Sequence, residues 1–221
     1  MKIVSSNRSN GQFSVAAVPE FEYETAANPS NLRLDFTALK PESEYVVGAA
    51  TIVFPHIMEF AIVKDPLISV SGSKALEKYL GSEFTHFGVC SQRKTQRPGQ
   101  SRLIIGDFRS EAVPRQFGNQ MRNLLVQVRD TTIWRGGLFS TDRIELSANM
   151  SSFTSVGLTR TEFYTAVALC LAGDFSSQNL IVEKTEGVTD EKVQALEDLA
   201  RGLGISLRIL AMGDFEARFE E

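Results

Sequence analysis

Cysteine and histidine are scarce in this chain, with two of each among 221 residues. Cys90 and Cys170 stand eighty residues apart in apolar surroundings, which excludes the dense disulfide framework of a small secreted domain. Both are expected to be reduced and buried. His86 and Cys90 share one short strand-like segment, where four residues at ~3.3 Å rise separate them by ~13 Å, too far to share a proton or a zinc ion. There is no Cys-x-x-Cys pair, no His-Glu-x-x-His and no calcium-loop pattern. Gly72-Ser73-Lys74 lacks the first glycine and the spacing of a phosphate loop, so it reads as a helix cap. The expectation is no metal, no cofactor and no catalytic residue.

Long apolar runs are missing too. The strongest, at 45–54 and 166–172, fall well short of the ~20 residues that a membrane helix needs. The start, Met1-Lys2-Ile3-Val4-Ser5-Ser6-Asn7-Arg8, turns polar too soon for the apolar core of a signal peptide. A soluble, cytoplasmic protein with no membrane partner is expected. Hydrophobic residues make up 43% and charged residues 23%, values that exclude disorder, collagen and coiled coil.

Periodicity predicts an α+β chain, with a β-rich N-terminal half forming an antiparallel sheet or partly open barrel, and a C-terminal α/β portion ending in a β-α-β unit. Near-alternation over 12–18 and 32–36 marks half-buried strands. Apolar runs at 45–54 and 57–64, parted by Pro55-His56, read as two further strands. A short strand at 67–71 leads to a helix capped by Ser73 and closed by Gly81. Segments 84–91 and 102–108 read as a hairpin around a long basic tip, 92–101. The stripe Phe117, Met121, Leu124, Leu125 and Val128 favours a helix over 114–128, although 124–128 also suits a strand. Strands are expected at 131–139 and 143–148, which completes a mostly β region, 1–150.

The remainder, 151–221, reads as helix-strand-helix-strand, on the same core or as a second domain. Thr159 and Glu162 form a capping box, with Leu158 and Phe163 as its hydrophobic staple, so a helix runs from Arg160 to about Ala172. Thr189 caps a second helix between strands at 180–183 and 205–211. Gly-Asp-Phe occurs at 106–108, 173–175 and 213–215 at unequal intervals, which turn chemistry explains better than duplication.

The net charge of −4 conceals an uneven distribution. Residues 93–135 hold nine cations against three acids, or +6, while 1–92 sum to −3 and 136–221 to −7. Eight of those nine cations are arginine, which pairs with phosphate and stacks on bases better than lysine does. Glutamines, asparagines and Trp134 lie among them. This mixture suits single-stranded nucleic acid, RNA or DNA, held by a positive groove and stacking faces. The candidate binding residues are Arg93, Lys94, Arg97, Arg102, Arg109, Arg115, Arg122, Trp134 and Arg135.

Two alternatives stand beside this expectation. Solvated or ion-paired arginines fit a structural subunit of a phage, viral or plasmid-encoded assembly, a homo-oligomer whose basic centre meets the acidic end of another copy. An enzyme with a carboxylate site, drawing on Glu59, Asp65, Asp174 or Glu183, has the least support.

Overall fold

The computed structural model describes residues 1–21, 24, 26–82, 84–90, 101–107 and 122–211. Among these the chain is α+β, with one mixed sheet of nine strands, a separate two-stranded sheet and six helices. Strands β1 (Lys2–Asn7), β2 (Phe13–Val18) and β3 (Asn31–Leu34) are antiparallel. The two-residue period of a strand sets Phe13, Val15 and Ala17 on one buried face, beside Leu32 and Leu34 of β3.

Residues 45–53 are helical rather than extended, in α1 (Ser43–Val53), with Phe54 as its C-cap. Every residue from Tyr45 to Val53 is buried, and a run that is apolar on all sides has no period to separate helix from strand. Pro55 then opens a short helix, α2 (Pro55–Met58), at the first-turn position that suits proline. The expected second strand therefore starts late, as β4 (Ile62–Ser69). Helix α3 (Val70–Leu80) begins earlier than expected because Ser69, not Ser73, is its cap: the Ser69 hydroxyl accepts from the Gly72 N–H at 3.0 Å. Gly81, at φ +63°, closes it in the left-handed region.

Strands β5 (His86–Cys90) and β6 (Ser101–Gly106) do not form the expected hairpin. β5 pairs in parallel with β4, whereas β6 joins the large sheet. Cys90 is half-buried and Cys170 fully buried, both free. The stretch 122–128, expected as the end of a helix, falls in strand β7 (Arg122–Asp130); residues 114–121 lie outside the described residues. Two flanking strands decide that segment, because β7 pairs in parallel with β6 on one edge and with β9 (Arg143–Ala148) on the other. A short β8 (Gly137–Phe139) runs antiparallel to β9, which also meets β3 at Leu34–Ala148.

After α4 (Met150–Thr154), the capping box is present at the start of α5 (Arg160–Ala172). β10 (Ser177–Glu183), α6 (Asp190–Gly202, capped by Thr189) and β11 (Ser206–Leu210) complete a parallel β-α-β unit. Helix α5 packs on β6 and β10, α1 on α5, and α3 on α6. One hydrophobic cluster extends from Met1 through α1, β6, β7 and α5 to Ile209.

The α3–α6 contact is close at one point. A Cβ on Gly202 would collide with the Cβ of Ala75, so Gly202→Val forces the two helices apart. Urea unfolding of that variant is expected to show a loss of about 1–3 kcal/mol; an unchanged midpoint would contradict the packing.

Candidate functional site

Five strands of the large sheet are parallel and lie in the order β9-β7-β6-β10-β11. From β6 the chain proceeds outward through β7 to β9, then crosses to the other side of β6 for β10 and β11. In open parallel sheets such a switch point leaves a crevice outside the carboxyl ends of the strands, where ligands bind. A cleft of about 410 Å³ lies to the β7 side of that point, beside the carboxyl ends of β6 and β7. Asp107 follows β6, Gln127, Val128, Arg129 and Asp130 come from β7, and Arg143 begins β9. The turn after β7 adds Ile133, while α4 and the first turns of α5 add Met150, Arg160 and Tyr164.

Strand alternation explains the polar wall. Leu124, Val126 and Val128 are buried in the main core, so the intervening Gln127 and Arg129 point to the other face, where register sets Gln127 beside Glu145. The Glu145 carboxylate bridges two guanidiniums, Arg129 at 3.0 Å and Arg143 at 2.9 Å. Arg143 also donates to the Gln127 side-chain oxygen at 2.8 Å. Two cations thus share one carboxylate, and the Nε atoms of both arginines are buried without a hydrogen-bond partner. The Arg129 guanidinium lies over the indole of Trp134, 5.7 Å from its centroid, a cation–π contact. Arg160 occupies the first position of α5.

The acidic groups have assigned tasks. Glu183, at the end of β10, accepts the Asp107 backbone N–H at 2.7 Å across the switch point. Burial foremost, then the negative charges of Glu183 and Asp107, push the Tyr164 hydroxyl well above its usual range, so it stays protonated. Burial alone would raise the Asp130 carboxyl. Hydrogen bonds from the Thr132 hydroxyl and N–H, and from the Ser151 N–H and hydroxyl at the start of α4, outweigh this and hold it below the usual carboxylate range. Among the described residues no group of three His, Cys, Asp or Glu side chains is placed to hold a metal ion. No helix there is long and apolar enough to cross a membrane.

Of the nine residues expected to bind nucleic acid, Arg93, Lys94, Arg97, Arg109 and Arg115 lie outside the described residues. Arg102 and Arg122 sit at the amino ends of β6 and β7, but Arg122 is in register with Ser101 and Arg102 with Asn123, so alternation puts the two arginines on opposite faces of the sheet. Trp134 and Arg135 follow the carboxyl end of β7, where the Trp134 N–H bonds the Asp130 carbonyl at 3.1 Å. The length of β7 puts ~26 Å between the two groups, so the four do not form one patch. Arg143, Arg160 and Gln127 carry no mark in the linear charge distribution; only alternation along β7 and β9, read with parallel pairing, singles out Gln127 and Arg143. The carboxylates Glu59, Asp65, Asp174 and Glu183 lie on separate elements. Asp174, for instance, accepts the backbone N–H groups of Leu39 and Lys40.

Comparison with known proteins finds no family model, no curated protein and no solved structure that matches the chain.

Because Asp130 is more acidic folded than unfolded, its contribution to stability is present above the ordinary carboxylate range and lost as pH falls through its lowered value. Asp130→Asn is expected to cost about 2 kcal/mol at neutral pH. In urea melts its deficit against the wild type should shrink as the pH drops below about 4; a pH-independent deficit would refute the assignment.

Proposed function

We propose that the chain binds single-stranded nucleic acid, with the cleft beside the carboxyl ends of β6 and β7 as its described contact site. The observation that carries this reading is the cluster of Arg129, Arg143 and Arg160 with Trp134. Single strands are held by cations along the backbone and by aromatic or guanidinium faces under unstacked bases, and the stacked Arg129–Trp134 pair supplies both. Arg135 is exposed on the same turn. Arg109 and Arg115 follow Asp107 along the chain, so the basic segment continues directly from a cleft residue.

The test is fluorescence titration of a labelled homopolymer of about 15 nucleotides, as RNA and as DNA, across a salt series. Trp134→Ala is expected to weaken binding about tenfold, the size of one lost base stack. Arg135→Ala and Arg160→Ala should each lower the slope of log K against log salt by roughly 0.7. Absence of saturable binding at low salt would reject the reading. Equal affinity in all three variants, lost only on changing Arg93, Lys94 and Arg97 to glutamate, would move the site away from the cleft.

A second reading, self-association, is favoured by a different surface. Phe60 and Phe84 are 68% and 67% exposed with their rings stacked at 6.0 Å, and Ile62, Leu67 and Val89 are exposed on β4 and β5 close by in sequence. Apolar side chains exposed together on a soluble fold commonly mark a contact surface. Sedimentation should then show a dimer or larger species that survives high salt, reverting to monomer in a Phe60→Ser, Phe84→Ser double variant. Dissociation by salt alone would instead point to contact between the basic centre and the acidic end.

A further inference from the structure

Away from the sheet, a cavity of about 490 Å³ lies among the helices, within the size range of pockets that take small molecules. Its walls are mostly apolar: Phe54 at the end of α1, Ile57 of α2, Leu80 of α3 and Leu158 before α5. Its polar residues include Tyr79 of α3, Glu162 of α5 and Lys192 of α6. The Lys192 ammonium bonds the buried Glu162 carboxylate at 2.9 Å and lies over the Tyr79 ring, 4.8 Å from its centroid. Glu162 is otherwise committed to Thr159 in the capping box.

The Tyr79 hydroxyl is the anomaly. Its oxygen is buried and Lys192 and Glu162 lie near enough to influence it, yet neither is placed to make a well-formed hydrogen bond with it, and folded proteins rarely leave such a group unmade. Burial above all pushes this phenol up to about 12, so it is a neutral donor at any physiological pH. Lys192 uses one of three donors on Glu162. Two donors thus adjoin an apolar chamber. The Glu162–Lys192 pair is neutral overall, so a carboxylate head would meet Glu162 without a net cation to offset it, whereas a neutral acceptor meets no such opposition.

We propose that this cavity binds a small, largely apolar molecule carrying one carbonyl oxygen, its body against Phe54, Ile57, Leu80 and Leu158 and its oxygen accepting from Tyr79 and Lys192. A water molecule would satisfy Tyr79 but gives no reason for the apolar walls. The site is separate from the nucleic-acid cleft and does not depend on that reading.

Saturation-transfer NMR with acetophenone, and with toluene as the probe lacking the oxygen, tests it on the full chain. Saturable binding of both probes is expected, tighter for acetophenone. Tyr79→Phe should weaken acetophenone about fivefold, the worth of one hydrogen bond, and leave toluene unchanged. The melting temperature of this variant, measured without probe beside the wild type's, separates lost recognition from lost folding. Val156→Trp, at a half-exposed position lining the cavity, should abolish binding of both probes. The proposal is overturned if acetophenone does not bind saturably, if Tyr79→Phe binds it as tightly as wild type, or if Val156→Trp leaves both probes bound.

Discussion

Strand β6 is bonded along both edges, and neither partner is the strand that precedes it in the chain. A buried strand must satisfy every backbone N–H and C=O, and Leu103, Ile104 and Ile105 are all fully buried, so β6 can exist only between two neighbours. Those neighbours are β7, which follows it, and β10, which arrives some seventy residues later. From that one placement come the switch in strand order, the crevice at the carboxyl ends and the meeting of Asp107 with Glu183. It also separates β5 from β6 and leaves β4–β5 as a small sheet of its own.

The first turns of α5 link the sheet to the helical layer. Arg160 and Tyr164, four residues apart, occupy the same helix face and look toward the cleft. Glu162 points the other way, into its capping box and the Lys192 ammonium beside the apolar cavity. One helical end thus borders two separate chambers, and their residues differ only by the 3.6-residue period. Burial of α5 on all sides, from Thr161 to Ala172, holds both in place.

The polar chemistry follows the same division. At the cleft three arginines stand against the carboxylates of Asp107, Asp130 and Glu145, and two of the guanidiniums share Glu145. In the helical layer charge is matched, Glu162 against Lys192, and the group left unsatisfied is a hydroxyl. Guanidiniums beside an indole suit a nucleic-acid strand, whereas a neutralised pair beside apolar walls suits a neutral ligand. Under the two proposals the chambers take different partners.

Local signals carried the elements whose information is local. The Thr159–Glu162 box, the Thr189 cap, Gly81 and the alternation in β2 each act within a few residues, and the α+β class with its closing β-α-β unit was legible from them. Where the apolar run had no period, as over 45–54, or suited two periods, as over 124–128, neighbours decided: α5 made the first a helix, and β6 with β9 made the second a strand. The excess of arginine over 93–135 was visible in the linear sequence, but which arginines meet was not. Arg143 and Arg160 reach the cleft, and Arg102 with Arg122 lie at the opposite end of the strands, because strand order depends on pairings between residues far apart in the chain. The sequence alone determined caps, helix ends and the balance of charge; the tertiary structure decided which charges share a cleft and which hydroxyl is left without a partner, since both depend on contacts that no short segment contains.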